Sequence, residues 1–166
     1  LDPKSLLDAL PSLDPIQNCF ERPVQLHVLV RTPEQLHAAI DLQPASITLD
    51  YLDLFHVGRA VDQVKAVVIP VRIASPRILK PGEEKIAQFL VKQACPVLVR
   101  ANGLLELLPA EADWVGDFSL NAANRRSAQI LLDLGLKRIT PTHDLNAEQV
   151  RTLAQAVGPE ALEVVI

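Results

Sequence analysis

The feature that most limits the possible folds of this chain is a regular alternation of short apolar runs with segments that have helical spacing. Each run is short and rich in β-branched residues or leucine, as a buried strand is. The runs occupy residues 24–30, 46–52, 66–73, 95–101, 112–120, 137–142 and 161–166. Because strands that alternate with helices pair in parallel through right-handed crossovers, the sequence predicts an α/β fold with a mostly parallel sheet. Pro70 removes one ladder hydrogen bond from the third run, which is therefore expected at an edge or a bulge.

Two architectures are built from such units: a closed barrel of eight strands and an open, doubly wound sheet. A complete barrel of the TIM type usually needs about 250 residues. This chain has 166 residues, which is too short for a complete barrel. We therefore expect a TIM-barrel-like partial barrel, with the open doubly wound sheet as the alternative.

The chain divides into an arm and a domain. Four prolines interrupt the first 23 residues and exclude one continuous helix there. We expect residues 1–23 to be a linker or packing arm and residues 24–166 to be one barrel-like α/β domain. The chain contains no methionine, even at position 1, so we expect this domain to be part of a longer polypeptide.

Composition argues against several classes of protein. Apolar residues make up 49% of the chain, which is enough for a hydrophobic core. The formal net charge of −4 argues against a domain that binds nucleic acid by charge alone. The apolar runs are too short to span a bilayer and no signal peptide precedes them, so we expect a cytoplasmic protein with no membrane partner. Cys19 and Cys95 are far apart in sequence and form no recognisable metal site.

Polar side chains at the ends of the predicted strands supply the candidate site. In parallel α/β folds, ligands bind where the carboxyl ends of the strands meet. Arginine binds carboxylate or phosphate through paired hydrogen bonds, so the expected partner is a polar or anionic substrate, whether a peptide, an RNA or a small molecule. The predicted substrate-binding residues are Arg72, Arg100, Asn121 and His143.

The same residues also have structural interpretations. Arg72 and Arg100 are alternatively expected to pair with Asp50 or Asp117. His143 is the histidine best suited to proton transfer, although a lone histidine is more often structural. Asparagine is a preferred helix cap. The asparagines that fit this second role are Asn121, Asn124 and Asn146.

No catalytic motif is evident in the sequence. A glycine-rich phosphate loop, a dinucleotide-binding fingerprint, an HExxH motif and a GxSxG elbow are all absent. The catalytic residues therefore stay unassigned, and no metal-binding residues are predicted.

Residues 116–155 resemble the collagenase-like peptidase family U-thirty-two. The shared pattern is a strand with a polar end, a helix, a leucine–glycine pair followed by a basic residue, and a second strand that leads into another helix. Residues 96–108 look like the family's preceding strand with its asparagine–glycine turn, and members often have glutamate where this chain has Asp144. The resemblance covers residues 66–166. The matching residues are Asp117, Ser119, Leu120, Asn121, Leu134, Gly135, Lys137 or Arg138, and Leu145.

The resemblance implies that the chain is a fragment of a collagenase-like protease, which is a hydrolase. In the family, a cysteine-rich stretch associated with an iron–sulfur cluster follows a strand like the last run of this chain. We therefore expect no cofactor in this fragment and an iron–sulfur cluster as a possible cofactor of the full-length protein. The fragment alone is expected to be inactive and to pack against the rest of its own chain. The alternatives are part of an iron–sulfur-dependent enzyme that hydroxylates RNA bases or quinone precursors, and a non-catalytic binding module.

Overall fold

The structure, a computed structural model, describes residues 25–107, 109 and 113–165. The predicted arm at residues 1–23 lies outside this part of the chain. Strands alternate with α-helices in the described residues, except between β4 and β5, where the helical element is the 3₁₀ turn Asn102–Leu104. The strands are β1 (His27–Val30), β2 (Ser46–Leu49), β3 (Val71–Ala74), β4 (Val97–Val99), β5 (Trp114–Gly116) and β6 (Arg138–Ile139). The helices are α1 (Pro33–Leu42), α2 (Val57–Ala66), α3 (Glu84–Lys92), α4 (Arg125–Asp133) and α5 (Ala147–Val157).

The strands form one parallel sheet whose spatial order follows the order of the chain, from β1 to β6. This sheet curls into a half-barrel with the helices on its outer face. The predicted fold, α/β and TIM-barrel-like, is therefore confirmed. A doubly wound sheet would reverse its strand order at a switch point, and the described strands contain no such reversal.

The prediction of a seventh strand at residues 161–166 is wrong for the residues that the structure describes, since no strand follows β6 among them. Leu162 makes a single parallel bridge to Ile139 of β6, and the Glu163 amide donates to the Ile139 carbonyl oxygen at 3.0 Å. A 3₁₀ turn, Pro159–Ala161, occupies the residues just before this bridge. The chain thus enters a seventh sheet position beside β6, where its residues up to 165 pair at one point.

Side chains on the strands alternate between the two faces of the curled sheet. Ile47, Leu49 and Ile73 are fully buried in the core between the sheet and the helices. Their neighbours Thr48 and Arg72 lie on the inner face and line a cavity there. The inner face is therefore polar in part, while the outer face supplies the main hydrophobic core. A separate small apolar cluster consists of Ala74, Leu98 and Val115.

Side-chain caps fix where several helices begin. Thr32 Oγ1 accepts a hydrogen bond from the Gln35 amide at 3.3 Å, and Pro33 occupies the first position of α1. Asn124 and Asn146 precede α4 and α5, and each forms a reciprocal capping box with the third residue of its helix. The interpretation of these two asparagines as caps is confirmed. A cap of this kind contributes about 1 kcal/mol to stability.

Pro70 does not place β3 at an edge or a bulge, so that prediction is wrong. Helix α2 continues to Ala66, and a turn follows in which Val68 has a φ of 61°. β3 begins only at Val71 and lies between β2 and β4. Because Pro70 precedes the strand, its missing donor costs no ladder bond, and its carbonyl oxygen accepts from the Ile47 amide at 2.9 Å.

None of the helices within the described ranges is long and apolar enough to cross a membrane. The longest of them, α5, has 11 residues, and the others have 9 or 10. A helix that spans a bilayer needs about 20 apolar residues.

Gly116 in β5 has no room for a side chain. A Cβ atom at this position would lie 2.9 Å from Leu136 Cδ1 and 3.1 Å from Ile139 Cγ2. We expect Gly116→Ala to lower the free energy of unfolding by about 1–3 kcal/mol, because added volume forces a packed core to shift. Gly103→Ala is the matched control, since an added Cβ there meets no atom within 4 Å. Urea unfolding followed by circular dichroism measures both, and equal losses for the two variants would contradict this packing.

Candidate functional site

The inner face of the half-barrel encloses a cavity of about 1150 Å³. Because the strands are parallel, their carboxyl ends meet at one mouth of this cavity, which we call the rim. Each residue of the rim lies on a loop that follows a strand. The rim consists of Arg31, Asp50, Arg77, Arg100, Asp117 and His143.

Asp50 is shared by two arginines of the rim. Arg100 Nη1 donates to Asp50 Oδ1 at 2.5 Å, and Arg31 Nε donates to Asp50 Oδ2 at 3.0 Å. The Arg100 side chain is 6% exposed, whereas that of Arg31 is 63% exposed. One arginine is therefore fixed inside the half-barrel, and the other stands at its mouth in contact with solvent.

Asp117 is the second carboxylate placed between two arginines. Its Oδ2 atom lies 3.7 Å from Arg100 Nε and 3.9 Å from Arg77 Nη1. Ser119 Oγ lies 2.9 Å from the same oxygen and 3.0 Å from the Arg100 carbonyl oxygen, so its hydroxyl donates to one of them. Arg100 Nε is buried and has no hydrogen-bond partner among the described residues. Arg100 thus links both carboxylates, through a hydrogen bond to Asp50 and a longer ionic contact with Asp117.

A second group of charges lies on the strands themselves and away from the rim, around two residues that we call the inner arginines, Arg72 and Arg138. Arg72 of β3 is buried, and its Nε donates to Thr48 Oγ1 at 3.1 Å. Its Nη1 lies 2.8 and 2.7 Å from the two carboxylate oxygens of Glu163. Arg138 of β6 approaches the same carboxylate at 3.1 Å. Glu163 is therefore held between arginines of two different strands.

The cavity carries more positive than negative charge. Three carboxylates, those of Asp50, Asp117 and Glu163, each contact two of five arginines. Glu160 lines the cavity as Asp117 and Glu163 do, and its side chain is exposed. Even with Glu160 counted, the arginines outnumber these carboxylates, so the field inside the cavity favours an anion. The arginines are Arg31, Arg72, Arg77, Arg100 and Arg138.

The environment shifts the pKa of two side chains near the cavity. Burial raises the pKa of Asp50, but the hydrogen bonds and charges of its two arginines outweigh that effect and hold the pKa below its ordinary value. His27 Nδ1 lies 2.7 Å from Ser46 Oγ. Burial lowers the pKa of His27; Glu163 acts in the other direction, and the inner arginines lower it further. Asp50 therefore stays ionised, and His27 neutral, to a lower pH than either would in a free chain.

An aromatic ring holds two polar side chains beside the cavity. The guanidinium carbon of Arg77 lies 4.7 Å from the ring centre of Phe118. The His143 ring lies 3.9 Å from the Phe118 ring, centre to centre, with a tilt of 50°. A cation over an aromatic ring at an exposed site contributes about 0.5–1 kcal/mol. Phe118 thus restrains the positions of Arg77 and His143 at the rim.

Three of the four predicted site residues line the cavity. Arg100 and His143 are at the rim, and Arg72 lies within β3 itself and not after a strand. Asn121 is exposed, does not line the cavity, and ends the 3₁₀ turn Phe118–Leu120 with a φ of 58°. The structure therefore brings together three of these residues and places the fourth on the turn that follows β5.

The alternative interpretation of the two arginines as ion-pair partners is confirmed for Arg100. Arg72 pairs with Glu163 instead, and neither Glu163 nor Arg138 was among the predicted site residues. Arg72 and Glu163 are 91 positions apart, so no local pattern joins them. A signal for Arg138 did exist: it precedes the buried Ile139 in β6, and a charged residue beside a buried one in a strand marks the opposite face.

The described residues do not fit an iron–sulfur cluster. Cys95 is the free cysteine that the structure describes; it is half-buried, and burial raises the pKa of its thiol. Within the described ranges, no group of three or more His, Cys, Asp or Glu side chains could hold a metal ion. A cluster in the full-length protein stays a prediction.

Comparison with known proteins relates the chain to others through its fold. No protein-family model matches it, and no curated protein matches its sequence. The U32 peptidase Mk0906 has a similar structure, with a TM-score of 0.64 and 17% sequence identity, over 87% of this chain and 70% of that one. A protein from Coccidioides immitis described as a fructose-1,6-biphosphate aldolase has a TM-score of 0.57 and 18% identity, over 83% of this chain and 62% of that one. At these identities the similarity shows the fold alone, and the U32 resemblance is a distant structural relation.

The carboxylate of Asp50 accepts a hydrogen bond from the buried Arg100 guanidinium, so removing its charge should leave Arg100 with only the longer contact to Asp117 among the described ion pairs. We expect Asp50→Asn to lower the free energy of unfolding at pH 7 by about 3 kcal/mol. The depressed pKa in the folded state means that this contribution is complete above the unfolded-state pKa of about 4 and is lost as the pH falls through the folded-state pKa. Urea unfolding at several pH values should therefore show the two proteins converging in acid.

Asp41→Asn is the matched control, because Asp41 is exposed on α1. It should change the free energy of unfolding by less than about 0.5 kcal/mol at any pH. A loss for Asp50→Asn that is as large in acid as at pH 7 would show that packing, not charge, accounts for it.

Proposed function

We propose that this chain forms the substrate-binding half-barrel of an enzyme distantly related to U32 peptidases, and that its rim binds an anionic group of the substrate. The observation that carries the proposal is the sharing of Asp50 and Asp117 among three arginines at the mouth of the cavity. Enzymes with TIM-barrel folds have their active sites at this end of the strands.

Two arginines of the rim keep the capacity to bind a ligand. Arg31 and Arg77 are 63% and 44% exposed, and each contacts a carboxylate through one nitrogen. A guanidinium group has five N–H donors, so donors remain for the oxygens of a carboxylate or phosphate. The buried Arg100 holds Asp50 and Asp117 in place, and these in turn keep the exposed arginines beside the cavity.

The size and charge of the site favour a small anionic molecule over RNA. The cavity volume of about 1150 Å³ is near that of sites that enclose small ligands. The chain as a whole has a formal charge of −4, which would repel a long phosphate backbone outside the cavity. A carboxylic acid or a phosphorylated small molecule avoids this repulsion because the arginines surround its charge.

Peptide hydrolysis is the second candidate function, and the fold similarity to the U32 peptidase Mk0906 favours it. A serine protease needs a serine hydroxyl hydrogen-bonded to a histidine. At the rim, the Ser119 hydroxyl is directed to Asp117 or a backbone carbonyl, while the His143 ring contacts Phe118. These two residues therefore do not form such a pair in the structure.

A serine and a histidine do lie within hydrogen-bond distance elsewhere. Ser46 Oγ is 2.7 Å from His27 Nδ1. Both residues are the first of their strands, β2 and β1, and so lie at the end opposite the rim. Because Ser46 is also buried, we interpret this pair as a structural contact between neighbouring strands.

Two further functions stay as alternatives. Iron–sulfur-dependent hydroxylation of RNA bases or quinone precursors needs cluster ligands beyond those that the described residues offer. A non-catalytic binding module would use the same arginines without turnover. Iron absorbance of the anaerobically purified full-length protein would support hydroxylation, and its absence from an active preparation would exclude the cluster version.

Replacing an exposed arginine of the rim should weaken the binding of a small anion. We expect Arg31→Gln and Arg77→Gln each to raise the dissociation constant for citrate by about tenfold or more, since a charge-assisted hydrogen bond contributes about 1.5–3 kcal/mol. Isothermal titration calorimetry with citrate and with phosphate measures the effect. Arg59→Gln, which removes an exposed charge on α2, is the control and should leave the affinity unchanged. Equal affinities in all three variants would refute anion binding at the rim.

A gelatin-cleavage assay with the full-length protein separates the two leading functions. Cleavage that is lost in Arg31→Gln would support peptide hydrolysis at this site. A folded preparation that binds citrate but leaves gelatin intact would support the small anionic substrate.

A further inference from the structure

We propose that the inner arginines, Arg72 and Arg138, form a second anion site that prefers carboxylates, and that the side chain of Glu163 occupies it as an intramolecular ligand. The proposal is independent of the function proposed for the rim. The described ion pairs of the inner arginines lead to Glu163, and those of the rim lead to Asp50 and Asp117.

Arg72 is positioned independently of the carboxylate that it binds. It pairs in register with Thr48 of the neighbouring strand, and its Nε donates to the Thr48 hydroxyl at 3.1 Å. The guanidinium is almost fully buried, and its Nη1 faces the cavity side, where Glu163 lies. A guanidinium held by a second hydrogen bond loses little freedom when a carboxylate arrives, so the site is preorganised.

Arg138 completes the site from the other side of the half-barrel. It lies on β6, three strands away from β3 in the sheet, and its side chain is 34% exposed. Glu163 Oε1 receives contacts from both arginines, at 2.8 and 3.1 Å, and Oε2 receives one from Arg72 at 2.7 Å. Three contacts to two oxygens in one group match a planar carboxylate better than a spherical anion such as chloride.

As far as residue 165, the backbone that carries Glu163 is attached to the sheet at one point. Leu162 bridges to Ile139, and the Glu163 amide donates to the Ile139 carbonyl oxygen. The next two residues, Val164 and Val165, are more than half exposed and line the cavity. Withdrawal of the carboxylate would therefore disrupt no regular strand among the described residues, and it would open the inner arginines to the cavity.

Withdrawal of Glu163 would leave two guanidinium groups without a counterion, one of them buried. An uncompensated buried charge strongly destabilises a protein, so the empty site should bind a carboxylate supplied from solution. The cavity of about 1150 Å³ gives such a molecule access. Acetate and formate are suitable probes because each is little larger than the carboxylate of a glutamate side chain.

Rescue of Glu163→Gln by acetate tests the proposal. This variant should unfold roughly 10 °C below the wild-type protein in sodium chloride, because it leaves buried arginine charge unpaired. Replacing the chloride by sodium acetate or formate at equal ionic strength should recover about half of this loss or more, since both bind only the folded state. Differential scanning calorimetry gives the midpoints.

Glu160→Gln is the matched control. Glu160 lines the same cavity, carries the same charge and forms no ion pair among the described residues. Its variant should unfold close to the wild-type midpoint and should respond equally to acetate and chloride. Equal responses of Glu163→Gln to the two salts, or a midpoint unchanged from wild type, would overturn the proposal.

Glu163→Asp keeps the test decisive if the glutamine variant does not fold in either salt. Aspartate retains the negative charge but is one methylene shorter, so it cannot reach both contacts with Arg72. We expect a smaller loss of stability, together with the same preference for acetate over chloride. An aspartate variant without that preference would also overturn the proposal.

Discussion

Two buried guanidinium groups, those of Arg72 and Arg100, set the requirements that the inner face of the half-barrel has to meet. Each is 7% exposed, and an arginine keeps its charge at any physiological pH. Such a charge is tolerated inside a protein only where carboxylates and hydrogen-bond acceptors surround it. Glu163 and Thr48 meet this need for Arg72, and Asp50 meets most of it for Arg100. The helices stabilise the outer face through apolar contacts, which leaves the inner face available for these charges.

The fold could be predicted because its signals are local. Each apolar run and each helix cap can be recognised within a few residues of sequence. Asn124 and Asn146, for example, cap their helices through hydrogen bonds to residues three positions further along the chain. The wrong predictions, those of the seventh strand and of Pro70, concern features that depend on residues distant in sequence. Whether the residues after Leu162 form a strand depends on hydrogen bonds to the backbone of β6, which is distant in sequence. Pro70 removes no ladder bond because β3 begins at Val71, one residue after Pro70 and five residues after the start of the apolar run.

The candidate site was predictable to the extent that it follows from strand direction. Arg100 and His143 lie after parallel strands, and both reach the rim. Asn121 also follows a parallel strand, β5, yet its left-handed backbone conformation leaves its side chain exposed and away from the cavity. Glu163 could not be found, because its contact with Arg72 exists only once the sheet has curled. The sequence therefore indicates which end of the sheet gathers Arg100 and His143, but not how the charges on the inner face are paired.

The strictly sequential order of the strands has a consequence for how the chain folds. Neighbouring strands join residues close along the chain, such as His27 with Ser46, 19 positions apart, and Thr48 with Arg72, 24 positions apart. The contact between Arg72 and Glu163 closes a loop of 91 residues. Since the entropy lost in closing a loop grows with its length, the sheet is expected to grow by one parallel strand at a time, with this long-range contact added last. A defect confined to that contact would then shorten the lifetime of the native state while leaving the speed of folding almost unaltered.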